Sequence, residues 1–353
     1  MTRRALAGAL AVILAAPSAA WAQQRYALVV SGASGTPDFG ARHVVWRTAL
    51  VGKLVGPLGF PPSQVVVLAE SPAPGESAAT REGVAEAIGR FQAVLTPDDL
   101  LLVVLIGHGT FDGADAKFNL VGPDLTAREW GALMRELPGR LILVDTTSAS
   151  HPFLAELAGP RRIVISATDS PAQQFATVFA EYFVQALGDP DSDIDKNGRV
   201  SLWETFMTAS ARVRHHYEQR GQLATERPLL DDNGDGRGKE AGEPGPDGPV
   251  AAQTYLDARP APPNADPELA ELYQRRAVLE ARAEELKIRR PLMPEGEYTR
   301  EFERLMVELA RVSRAIRLKG GGDQPGFFMA SACASTLDVA RRLTVLRVDR
   351  TFR

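Results

Sequence analysis

Between Arg25 and about Arg220, unbroken apolar runs alternate with amphipathic stretches, the pattern of parallel strands joined by crossover helices. The runs Tyr26–Val30, Val65–Leu68, Leu100–Ile106, Leu141–Val144 and Ile163–Ala167 predict buried strands, because a strand covered on both faces has no polar side to alternate with. The intervening stretches predict helices over Val44–Val55, Arg81–Val94, Ala127–Leu137, Gln173–Leu187 and Leu202–Arg220. This predicts an α/β sandwich whose strand ends at Ser31-Gly32, Gly107-His108 and Asp145-Thr146 share one edge, where open α/β sheets place their sites.

Three further segments follow. Residues 231–266, rich in Gly, Pro, Asp and Ala, read as a linker after a domain over 23–230. Residues 267–318 hold two helical stretches broken by Pro291 and Pro294; in the second, Phe302, Leu305, Met306, Leu309, Val312 and Ile316 recur at helical spacing. They predict a helical hairpin or a coiled coil for a partner. Residues 319–353, which include a glycine run, read as a basic tail or a short last strand.

At the other end, Arg3 and Arg4 precede a short apolar stretch and small residues ending Ala20-Trp21-Ala22, which predicts a signal peptide over 1–22 and an exported protein, periplasmic or extracellular. No later window approaches the about 20 consecutive apolar residues of a membrane-spanning helix. The net charge of −4 over 353 residues and the spread of Lys and Arg argue against a nucleic-acid partner. A lone cysteine, Cys333, allows no intramolecular disulfide, so stability rests on the core or on bound ions.

His108 carries the first chemical signal. It follows a buried strand, is flanked by Gly107 and Gly109, and has an imidazole whose ordinary pKa of about 6.5 suits proton transfer near neutrality. Together with Ser31-Gly32-Ala33-Ser34-Gly35 after the first strand and Asp145 with small residues after a later one, it resembles the caspase-like fold, and within it the legumain-type cysteine peptidases. That resemblance implies a three-layer α/β/α sandwich, a histidine at one strand end and a nucleophilic cysteine after the next. The cysteine position falls on Thr147, beside Ser148.

Threonine is a far weaker nucleophile than a thiol and needs a placed base and an oxyanion hole. Three readings of His108 and Thr147 stand: a peptide-binding pseudopeptidase, a hydrolase using a Thr147, Ser148 or Ser150 hydroxyl, and a strand-end histidine beside hydroxyls that merely cap a turn. Asp112, Asp115 and Asp145 are candidates for an orienting acid, while His43 and His151 read as surface or packing residues. The resemblance also implies a substrate-binding arginine after the first strand, matched by Arg42, with Ser34 nearby.

The second signal is a twelve-residue loop in EF-hand order. Asp193, Asp195, Asn197, Arg199 through its carbonyl, Ser201 and Glu204 fall on the liganding positions, with Gly198 at the sharp turn, predicting a Ca2+ site. Residues 231–242 begin similarly but place Gly242 where the last acid belongs, which leaves a weaker site or a turn-rich loop. The predicted partners are a peptide or protein segment at the His108 edge and a coiled-coil partner for 267–318, or a calcium-stabilised adaptor acting through that hairpin alone.

Overall fold

The computed structural model describes residues 23–195, 197–257 and 293–319, together with 272, 275, 279, 282 and 286. Two compact units divide the chain, residues 1–259 and 260–353. The predicted signal peptide, Cys333, most of the first helix of the predicted hairpin and nearly all of the predicted basic tail lie outside the described residues.

The first unit is built on an eight-stranded, mostly parallel sheet. Its centre is β1 (Arg25–Ser31), flanked in parallel by β2 (Val65–Ala69) and β4 (Leu100–Ile106); β3 (Ser77–Ala78) closes one edge beside β2. Beyond β4 lie β8 (Arg140–Asp145) and β9 (Arg162–Ser166), both parallel. The antiparallel β10 (Leu229–Asp231) and β11 (Lys239–Glu240) extend that side, giving the order β3-β2-β1-β4-β8-β9-β10-β11.

Strand β4 shows why its sequence is apolar without a break. Leu100, Leu102, Val104 and Ile106 enter one core with Trp46, Leu50 and Leu54 of α1 (Pro37–Val55), Phe179 and Phe183 of α5 (Phe179–Ala186), and Phe206 and Val213 of α6 (Leu202–Gln219). Leu101, Val103 and Leu105 enter a second core on the opposite face, with Val84, Ile88 and Phe91 of α2 (Arg81–Val94), Trp130 and Met134 of α3 (Ala127–Met134), and Phe153, Leu154 and Leu157 of α4 (Pro152–Leu157). Successive side chains leave a strand on opposite faces, so a doubly covered strand is apolar at every position.

The helices begin where the sequence offers caps. Thr36 and Thr80 accept the Phe39 and Gly83 N–H groups, and Thr126–Glu129 and Ser201–Glu204 form reciprocal capping boxes at α3 and α6.

Four expectations change. Helix α5 starts at Phe179 rather than Gln173, because residues 168–177 form a loop over the sheet edge. The stretch after His108, too short and polar to read as strands, folds into a three-stranded antiparallel sheet of β5 (Gly109–Phe111), β6 (Ala116–Phe118) and β7 (Leu125–Thr126). Helix α4 had no readable period.

The fourth change concerns the predicted linker. Residues 231–257 belong to the sheet unit, contributing the end of β10, β11 and α7 (Pro249–Ala252). Ala251 and Leu256 enter the first core, and buried carboxylates hold the turns between: Asp231 accepts the Gly234 and Gly236 N–H groups, Asp232 those of Gly248 and Ala251, and Asp247 those of Asp232 and Asn233.

In the second unit the described helix is α8 (Glu295–Lys319). Leu305, Val312 and Ile316 are buried with Leu279 and Leu286, whereas Met306, which the period placed on the apolar face, is 42% exposed.

Candidate functional site at the sheet edge

Parallel β1, β2, β4 and β8 deliver Ser31, Glu70, His108 and Asp145 to one edge of the sheet. Gly32 donates to the Ile106 carbonyl at 2.9 Å and Glu70 to the Ser31 carbonyl at 3.1 Å, so the loops stay tied to one another as they leave the strands.

His108 is half-buried. Its ring packs edge-on against Phe39 of α1, with centroids 4.4 Å apart, and lies 5.4 Å from the His43 ring. Burial and the neighbouring Arg42 guanidinium lower its pKa, while a hydrogen bond from the ring to the Ser34 carbonyl opposes them. The imidazole is therefore neutral at pH 7, with one nitrogen donating to Ser34 and a lone pair on the other. In that protonation state it can accept a proton.

The hydroxyls expected to meet it are engaged elsewhere. Thr147 is 1% exposed, and its Oγ1 lies 2.7 Å from Asp145 Oδ1, which also accepts the Thr147 N–H at 3.0 Å. Ser148 donates to the Gly109 carbonyl at 2.8 Å and accepts the Gly109 N–H at 3.2 Å. Ser150 accepts the Ala167 and Thr168 N–H groups and bonds the Thr168 hydroxyl. Among the described residues, no hydrogen bond joins His108 to any of these three hydroxyls.

Gly109 explains how the β4 and β8 loops come so close. A Cβ there would stand 2.0 Å from the Ser148 carbonyl oxygen and 2.8 Å from Thr147 Oγ1. Only glycine allows this approach. The Thr/Ser run thus stitches the two loops together, in agreement with the turn-capping reading of those hydroxyls.

Asp145 is the chemically unusual member. It is fully buried, its Oδ2 has no partner, and burial raises its carboxyl to about 7 despite the bonds from Thr147. Of the other two acids considered, Asp112 is held ionised, well below the usual carboxylate range, by the Asp115 and Ala114 N–H groups and Lys117, and Asp115 faces Arg128. Both serve the β5–β6 turn.

Arg42 is exposed, its guanidinium 4.2 Å over the Phe39 ring. Ser34 is buried and donates to Glu70 Oε2 at 2.6 Å. These residues adjoin His108 through Phe39 and through the Ser34 carbonyl.

Sequence reasoning missed two members of the cluster. His43, read as a surface or packing residue, is 3% exposed against the His108 ring with Nδ1 unpartnered; burial first, then His108 and Arg42, lower its pKa to about 4. The signal was its place one turn after Phe39, which puts both on one helix face. Glu70 was readable as the residue directly after a strand.

The loop 193–204 forms a separate acidic site. Asp193, Asp195 and Glu204 each offer a carboxylate oxygen within 4.8 Å of one another. Asp193 accepts the Asn197 and Gly198 N–H groups, Asn197 bonds Asp195 and accepts the Arg199 N–H, and Glu204 accepts the Ile194, Asp195 and Ser201 N–H groups. Ser201 bridges to Tyr255, while the Arg199 side chain pairs with Asp257 and lies 3.9 Å over the Tyr255 ring. The loop is thereby closed against residues 254–257.

No protein-family model matches the chain, and no curated protein matches it. Among solved structures it is similar to protein GSU0716 from Geobacter sulfurreducens, at 15% identity and a TM-score of 0.40, covering 62% of this chain and 97% of that one.

Proposed function

We propose that this chain is an exported, calcium-stabilised relative of the caspase-like, legumain-type peptidases whose cleft binds peptide or protein segments without efficient hydrolysis. The observation carrying this reading is the state of Thr147. It follows the strand next to the one ending in His108, the position of the missing thiol, and its hydroxyl is buried and committed to Asp145 at 2.7 Å. A nucleophile must face both the substrate carbonyl and its base.

The neutral His108, with a lone pair available, supports a surviving general base and so favours the hydrolase reading as the runner-up. Assays on the mature protein with calcium separate the two. The parent protein is expected not to cleave a diverse peptide library, and neither is Thr147→Cys, whose side chain takes the same buried place against Asp145. Cleavage by the parent protein, abolished by His108→Ala, overturns the pseudopeptidase.

For the metal, the donor set supports Ca2+. Three carboxylates, the Asn197 amide oxygen, the Arg199 carbonyl and Ser201 are all hard oxygen donors in EF-hand order, and Glu204 is anchored by a capping box that keeps it facing the loop. The ion's part is structural, joining the start of α6 to the preceding loop. In the second unit, burial of Leu279 and Leu286 with α8 supports a helical hairpin. Most of the apolar stripe is then used internally, which favours the sheet-edge cleft over an adaptor role for the hairpin.

A further inference from the structure

The opposite edge of the sheet carries a second concentration of chemistry. A cavity of about 490 Å³ opens at the amino ends of β8 and β9, with Arg135, Arg161 and Arg162 in its wall and Leu137, Pro138 and Pro160 giving it an apolar side. Arg140 opens β8 beside it, and the Leu141 N–H donates to the Arg161 carbonyl at 3.1 Å. Since β8 rises about 3.3 Å per residue, this cavity stands about 17 Å from Asp145.

Among the described residues, none of these four arginines lies within 4.0 Å of a carboxylate. Arg47, Arg81, Arg128, Arg199, Arg212 and Arg227 all do. Glu156 in the wall and Glu136 nearby leave an excess of positive charge. Burial and mutual repulsion lower the pKa of both Arg140, facing Arg161, and Arg162, facing Arg135.

Two of the guanidiniums are held in place by backbone carbonyls. Arg162 donates to the Met134, Arg135 and Leu157 carbonyls at the ends of α3 and α4, and Arg161 to that of Pro97. These contacts orient the guanidiniums and leave their full charge without a counter-ion. Arg161 moreover sits at φ +63°, a left-handed conformation that a non-glycine residue adopts at a cost of about 1 kcal/mol or more. A loop optimised only for stability would carry glycine there.

We propose that this cavity binds a small organic phosphate, its phosphate group on Arg135 and Arg161 and its organic part against the proline and leucine wall. The volume suits a small-molecule ligand rather than a bare ion, both arginines line the cavity, and a guanidinium fork matches phosphate geometry.

Isothermal titration of the mature protein with ribose 5-phosphate tests this, with ribose and inorganic phosphate as companions. Ribose 5-phosphate is expected to bind, at least tenfold more tightly than inorganic phosphate, while ribose does not. Arg161→Gly, which relieves the left-handed strain, is expected to keep or raise Tm and to weaken binding at least tenfold; His108→Ala is expected to leave it unchanged. No heat with ribose 5-phosphate, equal affinity for inorganic phosphate, or undiminished binding by Arg161→Gly overturns the assignment. Because the site lies at the other end of the strands, these results are independent of peptide binding at His108.

Discussion

Replacing Asp145 by asparagine should make the protein's stability less sensitive to alkali. In the folded protein the carboxyl is fully buried, Oδ1 accepts two bonds from Thr147, Oδ2 has no partner, and burial raises its pKa from 3.8 to about 7. The unfolded chain therefore loses this proton at lower pH than the folded one, and folding stability falls as pH rises between the two values. Each pH unit in that window is worth about 1.4 kcal/mol, so the loss reaches about 4 kcal/mol by pH 8. An amide has the same shape, keeps the Oδ1 acceptor for Thr147, and carries no charge. At pH 4 the protonated carboxyl leaves one buried donor unpartnered and the amide two, so the variant should start out less stable by about 1–3 kcal/mol. Between pH 4 and pH 8 the difference should shift by about 4 kcal/mol in favour of the Asp145→Asn variant. Urea denaturation followed by tryptophan fluorescence at pH 4 to 8 measures the difference directly, and contributions of other titrating groups cancel between the proteins. A difference that stays constant within about 1 kcal/mol across that range would refute the reasoning, because Asp145 would then titrate at its ordinary value or not at all.

Other perturbations have different signatures. Glu226, pushed up to about 7 by burial, accepts the Val178 and Phe179 N–H groups at the start of α5 and the Tyr217 hydroxyl. Glu226→Gln turns an amide donor toward one of those donors and should cost about 1–3 kcal/mol at pH 5, read by the same denaturation; equal stability there refutes the cap. Gly109→Ala forces a methyl to within 2.0 Å of the Ser148 carbonyl and should destabilise by about 1–3 kcal/mol or more, lowering Tm by several degrees. An unchanged Tm would mean that the two loops do not lie so close. Calcium at about 100 times its Kd should stabilise the sheet unit by about 2.7 kcal/mol, and Glu204→Ala should abolish that gain. Persistence of the gain in the variant would place any ion elsewhere.

The parallel strands and the main helices were legible because their signal is local. Five apolar runs between Arg25 and Ala167 and the helix Arg81–Val94 needed only periodicity, which each segment carries within its own residues. The same is true of the acidic loop 193–204, whose clustered carboxylates lie within twelve consecutive positions. The chain also placed His108 and Thr147 after strands, because each follows closely on a buried apolar run.

What those side chains touch was decided only by the tertiary structure. His43 became a neighbour of His108, Asp145 a buried acid with one oxygen unpartnered, and Thr147 the donor to its other oxygen, because α1, β4 and β8 converge at distances set by the fold and by Gly109. Residues 231–257 read as a linker and became part of the sheet unit, since buried carboxylates hold their turns through backbone N–H groups, and such bonds leave no period in the sequence. Arg135, Arg161 and Arg162 likewise read as scattered charge, and only the alignment of β8 with β9 gathered them at one cavity. A sequence fixes its elements through short-range pattern; the charges and hydroxyls that do chemistry take their roles from neighbours distant in the chain, and only folding supplies those.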